Sequence, residues 1–184
     1  ETTAYIVKPR SPDDPLVKRV HEAGGTVLTL EEDPKFKKLG AGLKHHALLL
    51  DGVLGTGIRL PLKAGLAETL DWVRKRLEKM AQPPHVVAVD CPSGVDSDSG
   101  EAASECIPAE LTVTMAAIKR GLLQFPAFNL MGSLELVGIG LPRGVKAHSS
   151  IKREVLGFDW VGEVLPARPL DAHKGTFGTA LVVA

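Results

Sequence analysis

The chain has 184 residues, enough for one α/β domain with a further piece attached, or for a single larger domain. Its 22 lysines and arginines balance 22 aspartates and glutamates, so no net field favours nucleic acid or an anionic membrane surface. No apolar run approaches the roughly 18 residues of a membrane span. No secretory signal opens the chain, and Cys91 and Cys106 make neither a disulfide framework nor a metal-type pair. These features point to a reduced, cytoplasmic setting. The chain opens on Glu1 and enters a strand almost at once, so an N-terminal stretch is expected to be missing.

Thr3 to Lys8 reads as a strand, and Pro15 to Ala23 as a short helix closed by Gly24 and Gly25. Thr26 to Leu30 is a second strand, and His46 to Leu50 an apolar run of the kind covered on both faces. Ala64 to Met80 carries Leu66, Leu70, Val73 and Leu77 at helical spacing with charged residues between them. Val86 to Val89, Leu111 to Met115 and Leu134 to Ile139 supply three more strands. Strands alternating with helices predict an α/β fold with a mostly parallel sheet and right-handed crossovers. From Pro142 to about Arg168 the composition is that of a linker, with one short helix near Ile151. Beyond it, AHKGTFGTALVVA opens a fresh strand, and a domain cannot end inside one, so the chain is expected to be a fragment at this end as well.

Two of the apolar strands end in an aspartate followed by a glycine turn. In LLLDGVLGTG, Asp51 precedes Gly55, Thr56 and Gly57; in VVAVDCPSGVD, Asp90 precedes Pro92, Ser93 and Gly94. In an open parallel sheet, ligands bind beyond the carboxyl ends of the strands, which places both aspartates on one edge. Alone, a strand-end aspartate is as readily a turn-former, and a glycine a source of positive φ. Two such ends together favour function, because glycine turns also expose backbone N–H groups that cradle phosphate.

Other residues carry less. His45 and His46, adjacent in a strand, would point to opposite faces and could not share a metal. His21, His85 and His148 are isolated and read as structural or exposed. Cys91 lacks an activating base and reads as a small buried hydrophobe. Lys119 either faces the crevice or is a surface lysine, with equal weight.

The segments DGVLGTGIRLP, VVAVDCPSGVDSDSG, AELTVTMAAIKRGLL and GSLELVGIGLP, in that order, resemble the NAD(P)H-hydrate epimerase domain, which repairs hydrated nicotinamide cofactors. The tail LPARPLDAHKGTFGTALVVA is similar to the start of the ADP-dependent NAD(P)H-hydrate dehydratase domain. The resemblance implies a Rossmann-like three-layer sandwich over residues 1–142, a linker over 143–168, and a fragment of a ribokinase-like domain over 169–184. It implies a bifunctional isomerase and lyase that interconverts the R and S hydrates and dehydrates the S form with ADP. It further implies potassium on Asp51 and Ser93, and a substrate loop of Gly55, Thr56, Gly57, Ile58, Arg59, Leu60 and Pro61, with Asp90 contacting the same small-molecule nucleotide. A homo-oligomer is left open, as is the choice between NADH and NADPH hydrate.

In that substrate the hydroxyl-bearing ring carbon adjoins the ring nitrogen, whose lone pair can expel the hydroxyl once it is protonated. Water returning to the opposite face inverts the centre. Asp90 is the expected acid and base, with partial burial raising its pKa towards neutrality. The sequence departs from the family pattern in lacking a G-P-G-N-N-G-G-D-G loop, which carries a further potassium ligand, and the strand before it. That strand would be central, and its absence leaves Thr3 to Lys8 without a neighbour. Each buried group left unpaired costs about 1–3 kcal/mol against a total stability of about 5–15 kcal/mol, so the chain alone is expected to be inactive. Two competing readings fit the residues less well. A dinucleotide-binding dehydrogenase would show G-x-G-x-x-G after its first strand, which this chain lacks. A non-catalytic ligand-binding or dimerisation module of the same fold would not need Asp51, Asp90 and Ser93.

Overall fold

The computed structural model describes residues 2–11, 13–142, 144, 151–165, 167–173 and 175–182. His148, Lys174, Val183 and Ala184 lie outside them. The chain divides into two compact units, Glu1–Leu141 and Pro142–Ala184.

In the first unit, β1 (Thr3–Ile6), α1 (Pro15–Glu22), β2 (Thr26–Thr29), α2 (Lys37–His45), β3 (Leu48–Asp51), α3 (Ala64–Glu78), β4 (His85–Val89), β5 (Leu111–Met115) and β6 (Ser133–Val137) follow in order. Every strand pairing is parallel. The strands do not form one sheet. Among the described residues β1 pairs with β2 alone, while β3, β4, β5 and β6 form a four-stranded sheet in that order. Between the two lies an apolar cavity of about 430 Å³, with Thr3 and Tyr5 of β1 on one side and Leu48 and Leu50 of β3 on the other. Among the described residues, a side-chain contact of 3.3 Å between Thr3 Oγ1 and His46 Nε2 spans this gap.

The gap corrects one expectation. β3 is covered on one face only: Leu49 packs into the core, whereas Leu48 is 51% and Leu50 60% exposed. Side chains alternate along a strand, so the edge position of β3 leaves this second set open to the cavity.

α3 forms because its apolar stripe meets the four-stranded sheet. Leu70 and Val73 pack with Val86 and Ala88 of β4, with Leu49 and Leu66 around them. On the solvent side, Asp71 pairs with Arg74 at 2.8 Å and with Lys75 at 2.6 Å. α2 was not expected. The buried Asp33 carboxylate accepts from Leu39 N–H at 2.9 Å, holding the first turn, and Phe36 stacks on Trp72 of α3 with ring centroids 4.9 Å apart. A Cβ on Gly40 would meet Trp72 at 3.0 Å, so glycine is what lets α2 approach α3 so closely. His45 and His46 therefore close a helix, where an adjacent pair in a strand was expected. His46 Nδ1 contacts Gly42 O at 2.9 Å.

Among the described residues of the second unit, one helix forms, α4 (Phe158–Val164); the stretch just before Ile151, where a short helix was expected, lies outside the described residues. The expected C-terminal strand does not form over Thr179–Val182, where the backbone has no partner strand among the described residues. His173 N–H instead donates to Thr176 Oγ1 at 2.9 Å, closing a local turn. Among the described residues no helix is long and apolar enough to cross a membrane.

Candidate active site

Parallel pairing brings the carboxyl ends of β3, β4 and β5 to one edge, and hydrogen bonds lace the three ends together. From β3, Asp51 reaches the loop after β4. Its Oδ2 accepts from Ser93 N–H at 2.7 Å and its Oδ1 from Ser93 Oγ at 2.5 Å, while Ser93 Oγ accepts from Leu54 N–H at 2.9 Å. Both side chains are buried, Ser93 completely. Burial pushes the Asp51 carboxyl above the ordinary carboxylate value, and the Ser93 and Val53 bonds offset only part of that rise. Among the described residues no cation pairs with it.

Asp90 faces the other way, towards β5. It sits at the end of β4 with φ 71°, a left-handed conformation that aspartate tolerates and that clusters at functional sites. Its N–H donates to Val113 O at 2.8 Å. Its Oδ1 accepts from Met115 N–H at 3.0 Å and from Lys119 Nζ. Burial alone would raise this carboxyl, but Lys119, Met115 and Thr114 together outweigh it and hold Asp90 below the ordinary value. This reverses the expectation of a pKa near neutrality. Asp90 rests as a carboxylate, because a cation lies against it, and a resting carboxylate is a base before it is an acid.

The loop between β4 and β5 is a packed floor. Gly94 has φ 104° and Gly100 φ 79°; a Cβ on Gly100 would also stand 2.8 Å from Gly121 O. Asp96 caps its own turn, accepting from Asp98 N–H at 2.9 Å and Ser99 N–H at 2.8 Å. Cys91 and Cys106 pack beneath with Val95 and Leu122. Burial pushes the Cys91 thiol up to about 11 and the Cys106 thiol up to about 12, so both are inert apolar groups at neutral pH.

The glycine loop after β3 lines a cavity of about 420 Å³, formed by Gly55, Thr56, Gly57, Ile58 and Arg59 with Lys8 and Lys63. Leu60 and Pro61, expected in the same loop contact, do not line it, and neither do Asp51, Ser93 or Asp90. A cis peptide bond joins Leu60 and Pro61, between Arg59 and Leu62, which do line the cavity. Three cations therefore border this cavity, of which only Arg59 was anticipated. Lys8 comes from beyond β1 and Lys63 from the start of α3, and neither lies in a glycine turn that would have flagged it.

The fold has a known counterpart. The yeast protein ynu0, of known crystal structure, superposes with a TM-score of 0.60 at 17% identity, over 84% of this chain and 62% of that one, which is a likeness of fold. A bifunctional NAD(P)H-hydrate repair enzyme of Moorella thermoacetica is 32% identical over 87% of this chain and 29% of its own length. An NAD(P)H-hydrate epimerase of Microbacterium testaceum is 41% identical over 60% of this chain and 43% of its own. The chain thus spans less than half the length of these two repair-enzyme relatives. The family profile described as YjeF-related protein N-terminus matches residues 10–121, which include Asp51, the glycine loop, Asp90, Ser93 and Lys119. The chain belongs to the YjeF-related N-terminal domain family.

Proposed function

We propose that this chain carries the epimerase domain of an NAD(P)H-hydrate repair enzyme, acting on hydrated NADH or NADPH. The observation that carries the reading is Asp90, an ionised and anchored carboxylate at the strand-end edge of a domain whose relatives bear that activity in their names.

The chemistry follows from charge. As the ring nitrogen's lone pair forms a C=N bond, the C–O bond breaks and the hydroxide leaves as water, taking a proton from solvent. The ring is then a cation, which a nearby carboxylate stabilises. A second water adds to the opposite face, and Asp90 relays its surplus proton back to solvent. One proton is taken and one returned, and the centre is inverted. Lys8, Arg59 and Lys63 with the N–H groups of Gly55 to Gly57 suit the phosphates of the nucleotide.

Asp51, Ser93 and the Leu54 carbonyl form a hard-oxygen set, and the buried unpaired charge of Asp51 fits a potassium ion. Bound there, potassium would neutralise that charge and brace the two loops. The gap between β1 and β3 suits one further extended strand, parallel to both, which would join the two sheets. Residues 169–184 are read as the start of an ADP-dependent dehydratase domain after a linker over 143–168, and the two free buried thiols suit a reducing cytoplasm.

The test is an assay of R and S hydrate exchange on the full-length protein, with and without potassium. Asp90→Asn should abolish exchange while leaving substrate binding near the wild-type level. Unchanged turnover in that variant rejects the assignment.

A further inference from the structure

Lys119 lies four residues past the end of β5, yet its side chain returns to that strand end. Ala116, directly after β5, adopts φ 64°, and its N–H is held by Val137 O at 2.9 Å. This left-handed step, unusual for alanine, turns the following residues back over β5. Lys119 Nζ then meets three acceptors: Asp90 Oδ1, Thr114 Oγ1 at 3.1 Å and Met115 O at 2.8 Å. An ammonium has three protons, so none remains for a substrate. A solvated surface lysine would not give up its side-chain freedom, worth about 2 kcal/mol, to be held at three points.

The carboxylate is bonded unequally. Lys119 Nζ and Met115 N–H both fall on Oδ1, with Thr114 Oγ1 at 3.5 Å from the same atom. Among the described residues no hydrogen bond reaches Oδ2. The side chains of Asp90 and Lys119 are 22% and 18% exposed, so the pair stands at the strand-end edge with access to solvent rather than sealed in the core.

We propose that Lys119 is a positioning residue for the reaction assigned above: it pins Asp90 by Oδ1 and so makes Oδ2 the oxygen that meets the adding water. The inference rests on the reading of Asp90 as the base. A carboxylate torsion is broad and roughly two-fold, so an unpinned aspartate presents either oxygen over a range of angles. Displacing a reacting group by about 1 Å costs about a hundredfold in rate.

The experiment measures exchange of the R and S hydrates of NADPH by the full-length protein and its Asp90→Asn, Lys119→Met, Thr114→Val and Asp90→Asn/Lys119→Met variants. Lys119→Met is expected to lower kcat about tenfold to a hundredfold, with KM within about threefold. The double variant is expected to be no slower than Asp90→Asn, because a residue that acts through Asp90 has nothing left to act on. Full kcat in Lys119→Met overturns the inference. So does a double variant slower than Asp90→Asn by the whole Lys119→Met factor, which would mean direct action on substrate. Should Lys119→Met fail to fold, Thr114→Val decides: it removes one of the three acceptors and changes no charge. A lower kcat at unchanged KM then supports the inference, and full kcat overturns it. An inactive wild type, or an active Asp90→Asn, removes the reading of Asp90 and the inference with it.

Discussion

The bond between Ser93 and Asp51 allows a stability prediction worked atom by atom. In Ser93→Ala the backbone N–H at 93 still donates to Asp51 Oδ2 at 2.7 Å. Two groups lose their partner. Asp51 Oδ1 keeps only the long contact with Val53 N–H, at 3.5 Å, and Leu54 N–H loses its acceptor. A buried group left unsatisfied costs about 1–3 kcal/mol. Asp51 is 3% exposed and bears the larger share; Leu54 is half-buried and bears less. The expected loss is therefore about 2–4 kcal/mol, a large part of a total of about 5–15 kcal/mol. Urea unfolding of the full-length protein in potassium-free buffer reads it as a lower midpoint at unchanged slope. A loss under about 0.5 kcal/mol would show that the hydroxyl does not satisfy these two groups, and would undo the account of how β3 is tied to the loop after β4.

Asp51 also predicts a pH dependence. Burial raises its folded pKa above the unfolded value, so its contribution favours folding most below about pH 4 and is lost as pH rises through the folded value. Asp51→Asn should thus gain stability relative to wild type as potassium-free buffer is taken from pH 4 to pH 8; a flat difference would contradict the raised carboxyl. Leu70 is 1% exposed in the main core, so Leu70→Ala should cost about 2–5 kcal/mol in the same unfolding assay, and a loss below about 1 kcal/mol would show that α3 is not anchored there.

Much of this molecule was legible before its fold. Apolar runs and one clear helical stripe located the six strands among the described residues and α3, because those signals come from burial against a sheet. α2 escaped because Gly40 and Gly42 lower its helical propensity; it is held by the local Asp33 carboxylate at its first turn and by the tertiary stacking of Phe36 on Trp72. At the site, Asp51 and Ser93 were expected to act together and do touch. Asp90 stands at the expected strand end, but as a carboxylate rather than a near-neutral acid, because the three-dimensional return of Lys119 sets its charge. Lys8 and Lys63 were invisible for a similar reason. They are ordinary lysines until the β1 end and the α3 start face one glycine loop.

The break between β1 and β3 has a consequence for how the chain behaves among its own copies. A sheet edge offers a row of unpaired N–H and C=O groups, and native proteins shield such edges with charge, proline or cover. Here the β3 edge carries Leu48 and Leu50 in the open, with no charged residue between His46 and Asp51. An edge of that kind is a template for a strand from any neighbour. The same gap that would let one extended segment knit the domain together therefore predicts self-association of the chain through β3, read as a solubility limit that rises when the gap is filled.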